Sequence, residues 1–81
     1  MSTTVCEYPS NCIEGERLRV EQTARGCYEL CRLDHRGRRI RSMTMQISGT
    51  TAAAHLAMAH KQKSHGEDVV LGEFDSPDAV A

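Results

Sequence analysis

Apolar and polar positions divide the chain into short strand-like runs followed by one helix-like run. Arg17-Leu-Arg-Val-Glu-Gln22 alternates charged and apolar residues, so Leu18 and Val20 fall on one face of an extended strand. Ala24-Arg-Gly26 reads as a turn. Cys27-Tyr-Glu-Leu-Cys-Arg-Leu33 reads as a second strand, with Tyr28 and Leu30 on one face and Cys27, Cys31 and Leu33 on the other. Asp34-His-Arg-Gly37 fits a type I turn, because the Asp side chain caps it and Gly accepts a positive φ. A third strand is expected over 38–47, with Met43, Met45 and Ile47 sharing a face. Ser48-Gly-Thr-Thr51 offers N-cap residues.

An Ala-rich run over 52–65 then predicts a helix, since alanine gives up little entropy on becoming helical. Its expected buried stripe is Ala53, Leu56, Ala57 and His60, flanked by Ala52 and Ala59. Gly66 is a natural stop and Val69-Val-Leu71 a short fourth strand at a sheet edge. Residues 1–16 contain Pro9, Asn11 and Gly15 without a clean period and read as an irregular, Cys-bearing arm. The expectation is a single small α+β domain over 17–75, ordered β-β-β-α-β: a three-stranded antiparallel meander under one helix, with a short fourth strand. A disordered acidic tail follows over 76–81.

Composition narrows the class. Leu, Ile, Val and Phe supply 14 of the 81 residues, so the core must be thin and lean on Ala and Met. No run approaches the ~18 apolar residues of a membrane span, and the first residues have neither a basic nor an apolar leader segment. The expected location is therefore cytoplasmic, with the cysteines as thiols or metal ligands. The net charge of −1 conceals an uneven distribution. Residues 1–16 hold three acids and no Lys or Arg; 17–41 hold eight Arg against three acids; 67–81 hold five acids. A basic centre lies between two acidic ends.

No motif for a nucleophile–base pair, a phosphate loop or a dinucleotide turn is present, so the chain reads as non-catalytic, with no cofactor. Cys6-x5-Cys12 and Cys27-x3-Cys31 are not zinc-finger spacings. On one strand Cys27 and Cys31 would stand roughly 13 Å apart, too far to share a zinc. A zinc-stabilised adaptor built from Cys6, Cys12, one strand cysteine and a His remains as an alternative. His55, His60 and His65 are five apart and fan around a helix without converging.

The strongest chemical signal is the arginine-rich hairpin: Arg36, Arg38, Arg39 and Arg41 around the turn, with Arg17, Arg19 and Arg32 on adjoining strands. Guanidinium groups fork onto phosphates or carboxylates. The set could read a duplex backbone, meet an acidic protein, or pair with Glu21, Glu29 and Asp34 as a solvated face. The counterpart is the acidic set Glu67, Asp68, Glu73 and Asp75, suited to a basic partner.

Gly26-Cys-Tyr-Glu-Leu30, Gly37, Ala52-Ala-Ala54, Ala57-Met58 and Val69-Val-Leu-Gly72 give a pattern over about residues 18–72 that resembles small phage-encoded anti-CRISPR proteins of the type I-F class. The β-β-β-α order is also similar to arm-type DNA-binding domains of phage integrases. The first resemblance implies an inhibitor that binds a subunit of a CRISPR surveillance complex inside an infected bacterial host, and it carries no functional residue across. The expected partner is then a protein, with direct nucleic-acid binding as the alternative and no membrane. The fourth strand, or the two-sided second strand, could also pair across a homodimer.

Overall fold

In the computed structural model, which describes residues 2–40 and 44–74, the first element is already a strand. The elements are β1 (Thr3–Pro9), β2 (Arg17–Ala24), β3 (Cys27–Leu33), β4 (Met45–Ile47), α1 (Gly49–Ser64) and β5 (Val70–Leu71). All pairings are antiparallel, in the order β4-β3-β2-β1-β5. The α+β class, the meander and the single helix are as the pattern predicts.

The irregular arm is a correction. Residues 3–9 run along β2 from Thr3–Gln22 to Pro9–Arg17, with a bulge between Thr4 and Cys6. The bulge explains why no period of two is visible. Consecutive residues Val5 and Cys6 are both fully buried in the same core, and alternation resumes with Glu7 and Tyr8. Thr, Val and Tyr are strand formers, and Pro9 ends the run. The domain therefore starts at β1, not at residue 17.

β2 and β3 turn at Arg25-Gly26, where Gly26 has φ +77°. The Asp34 turn forms as expected. The Gly37 amide donates to the Asp34 carbonyl at 2.9 Å, and the Asp34 carboxylate accepts from the amides of Arg36 and Arg38, each at 2.9 Å. The predicted continuous third strand is instead interrupted. A bridge at Leu33–Arg39 is separated from the Leu30–Met45 pair by three residues on β3 but six on the return, so among the described residues of that return only Met45–Ile47 form a regular ladder. Arg41 and Met43 lie outside the described residues, as do Asp75 and the expected tail at 76–81. β3 is paired on both sides, which removes it as a dimer edge. The sheet edges are the short strands β4 and β5.

Ser48 caps α1 by accepting from the Thr51 amide at 3.1 Å, and Gly66, at φ +87°, follows its end. The helix lies on Val5, Cys6, Tyr8, Val20 and Tyr28 through Ala52 and Ala59, both fully buried, with Leu56 between them. Ala57 and His60 are exposed, so the buried stripe is turned toward the Ala52–Ala59 flank. Small side chains on that flank let the helix approach the sheet closely, and Gln62, one turn further, continues the contact to the β1–β2 loop.

β5 closes the core. Its partner residues are Cys6 and Glu7, the Gly72 amide donates to the Val5 carbonyl at 2.9 Å, and the Phe74 ring reaches Tyr28 at a centroid distance of 5.6 Å. A Cβ on Gly72 would collide with the Thr4 carbonyl oxygen, a backbone atom that cannot swing aside. Gly72→Ala is expected to cost about 1–3 kcal/mol, the scale of overpacking a tight site, in a urea unfolding titration.

Candidate interaction surfaces

The two faces of the sheet carry different chemistry because of their register. Cys6, Tyr8, Leu18, Val20, Tyr28 and Leu30 share the helix-covered face. Glu7, Arg17, Arg19, Glu21, Glu29, Cys31 and Leu33 share the open one.

On that open face the arginines are neutralised from within. Glu7 accepts from Arg17 Nε at 2.7 Å and from Arg19 Nε at 2.8 Å. Arg19 also reaches Glu21 at 3.6 Å, and Arg39 spans Glu21 at 2.7 Å and Glu29 at 3.3 Å. Arg17 ends the row against the Asp68 carbonyl at 2.9 Å. On the other side of the sheet, where Arg32 stands in register with Leu18, it pairs with Glu16. Two of the neutralising carboxylates, Glu7 and Glu16, come from the acidic N-terminal segment, which β1 lays beside the basic centre. Under this lattice Cys31 and Leu33 are fully buried. Leu33 stands in register between Arg17 and Arg39, whose aliphatic stems can cover it.

The residues predicted as the basic site are therefore not equivalent. Arg39 belongs to the lattice. Arg36 and Arg38 project from the hairpin tip, where Arg38 reaches Asp34 at 3.4 Å with its side chain 69% exposed. The Arg38 and Arg36 amides, together with the Arg38 guanidinium, hold the Asp34 carboxyl below its usual range. The acidic set is split. Glu67 and Asp68 lie in the loop before β5, and Glu73 lies beyond it; all three are exposed.

The cysteines fall into two kinds. Cys6 and Cys31 are buried on opposite faces of the sheet, while Cys12 and Cys27 are exposed, and all four are free thiols. The zinc set Cys6, Cys12 and a strand cysteine is thus not brought together. Among the described residues no three His, Cys, Asp or Glu side chains are grouped to hold a metal. Burial pushes the Cys6 thiol up to about 11 and the Cys31 thiol above its ordinary value, leaving both protonated at neutral pH.

A groove between α1 and β1 was not foreseen from the chain. Its upper part, about 190 Å³, is walled by Tyr8, Ala54, His55 and Met58. Its lower part, about 430 Å³, continues past Met58 to Pro9, Asn11, Lys61, Gln62 and His65. Tyr8 and His55 meet in it, with phenol oxygen and Nδ1 2.5 Å apart. Burial lowers the His55 pKa and raises that of Tyr8 to about 12, so at neutral pH the bond joins a neutral phenol to an uncharged imidazole. The signal in the sequence was the helical spacing of positions 54, 58, 61, 62 and 65. It could be read only once β1 was known to lie beside them.

Comparison of the chain with protein-family models, characterised proteins and solved structures gives no match. No helix among the described residues is long and apolar enough to cross a membrane.

Three outcomes are expected. Glu7→Gln leaves two arginines facing a neutral amide and should cost about 1–3 kcal/mol in chemical denaturation. A thiol reagent at neutral pH should label Cys12 and Cys27 rapidly, and Cys6 and Cys31 only on unfolding. The lowered His55 pKa means that the unfolded chain binds the extra proton first as pH falls. Its contribution to stability is therefore complete above the unfolded value of about 6.5 and is lost as pH drops from there toward the folded value. Thermal melting followed from pH 7.5 to 5.5 should show that loss, and His55→Gln should flatten it.

Proposed function

We propose that the protein acts by binding rather than catalysis, inhibiting a host nucleic-acid machine, and that this machine is a type I CRISPR surveillance complex. The observation that carries the binding reading is the distribution of charge left after internal pairing. Arg17, Arg19, Arg32 and Arg39 are occupied by Glu7, Glu16, Glu21 and Glu29. Glu67 and Glu73 stand exposed on either side of β5, whose Val70 is itself 47% exposed, while Asp68 lies 3.8 Å from the Arg17 guanidinium. An apolar edge flanked by carboxylates suits the basic protein surfaces that line nucleic-acid channels. The CRISPR identity rests on the sequence resemblance alone.

Co-elution with a purified type I-F surveillance complex, with and without bound target DNA, tests this reading. Retention is expected, and Glu67→Lys with Glu73→Lys should abolish it while Arg36→Ala with Arg38→Ala leaves it intact. Absence of retention at micromolar concentration refutes the assignment. A second reading, direct binding to duplex DNA, draws on the exposed Arg36 and Arg38 at the hairpin tip. With only those two arginines on phosphate, log affinity against log salt would have a slope near about −2, and their double replacement by Ala would flatten it.

A further inference from the structure

We propose that the groove between α1 and β1 is a peptide-binding site, which takes an extended segment of a partner protein carrying an apolar side chain and, three residues later, a carboxylate. The inference shares with the proposed function the premise that the chain binds protein. It does not depend on which partner that is.

Three features point to this occupant. The first is a side-chain amide pair. Gln62, only 8% exposed, donates from Nε2 to Asn11 Oδ1 at 3.2 Å. That bond uses one donor of Gln62 and one acceptor of Asn11. The Gln62 Oε1 and the Asn11 Nδ2 have no hydrogen-bond partner among the described residues, and both side chains line the groove. A carboxamide acceptor beside a carboxamide donor is the complement of a peptide group, which offers one N–H and one C=O. Both free groups are open at the groove surface, so a ligand can reach them without displacing a bond within the protein.

The second feature is the apolar end. Met58 is 40% exposed, and with Tyr8 and Ala54 it walls the upper part. Methionine adapts to varied apolar side chains without a fixed shape. The third is charge. The arginines of the sheet face are paired with carboxylates, whereas Lys61, on the groove wall, has no carboxylate within ion-pair distance among the described residues. His65 is one turn further along the same face. Glu67 also lines the groove, so the site is not simply cationic, and a single carboxylate near Lys61 fits it better than a polyanion.

The spacing follows from the helix. From Ala54 to Lys61 is seven residues, about 10 Å of rise, which an extended peptide covers in about three residues.

The probe is acetyl-Leu-Gly-Ser-Glu-amide, titrated into the isotopically labelled full chain and followed by NMR. Controls are the same peptide ending in Gln and one with Gly in place of Leu. The expected result is saturable shifts at Asn11, Met58 and Gln62 within about 10 mM peptide, with each control bound at least about fivefold more weakly. Lys61→Ala, an exposed change that spares the fold, should erase the preference for Glu over Gln while keeping that for Leu over Gly. Gln62→Leu, if folded by its spectrum, should weaken all three peptides. No saturable shift, shifts away from the groove, or equal binding of the controls overturns the proposal. Peptide binding without retention by the surveillance complex would overturn the proposed partner and leave the groove standing. Retention without peptide binding would do the reverse.

Discussion

Glu7 between Arg17 and Arg19 is the interaction on which the arrangement turns. It sits on β1, its two partners sit on β2, and the side chains on either side of it, Cys6 and Tyr8, enter the core on the other face. One strand thus completes the core and neutralises the basic centre at the same time. Without β1, the helix would lie over a meander missing Val5, Cys6 and Tyr8, and β5 would have no edge to pair with. Arg17 and Arg19, side by side on one face of β2, would also lose the carboxylate they share. In a chain with so few large apolar residues, losing three buried ones is a loss the remainder cannot absorb.

The fold was legible in the sequence where local chemistry fixes it. Asp34 and Gly37 specify their turn, Ser48 caps the helix, and the alternation of β2 and β3 gives their faces correctly. β1 was hidden because a bulge places Val5 and Cys6 on the same side, which breaks the two-residue period that marks a strand. The interrupted return after the hairpin was hidden for a related reason: nothing local announces that three extra residues intervene before Met45 pairs with Leu30. The helix face was misplaced because an Ala-rich run has almost no amphipathic contrast, so its orientation is decided by how closely Ala52 and Ala59 can approach the sheet.

The same strand changes how the surface is understood. Eight arginines in 25 residues look like a basic patch when the chain is read linearly. Folding brings Glu7 from one end and Asp68 from the other onto the open face, and sets Glu16 against Arg32 on the opposite side. The result is a charged but internally matched face. Each pair on it is partly exposed and individually modest, yet the shared carboxylates Glu7 and Glu21 link them into one network. Recognition chemistry is then left to the regions the network does not reach: the hairpin tip, Glu67 and Glu73 beside β5, and the groove beside α1. The groove is the one region whose residues come from segments far apart in the chain, β1 and its loop on one side and the helix on the other, which is why its spacing could not be seen before the fold.

The most direct measurement is amide hydrogen exchange across residues 3–8 of the intact protein. With β1 paired to β2 on both sides of its bulge and to β5 at Cys6 and Glu7, the amides that donate to those strands should exchange as slowly as those of β2 and be released in the same cooperative unfolding. Exchange at the rate of an open chain while β2 and β3 stay protected would show that the N-terminal segment is an arm after all, and the neutralised face and the groove would both fall with it.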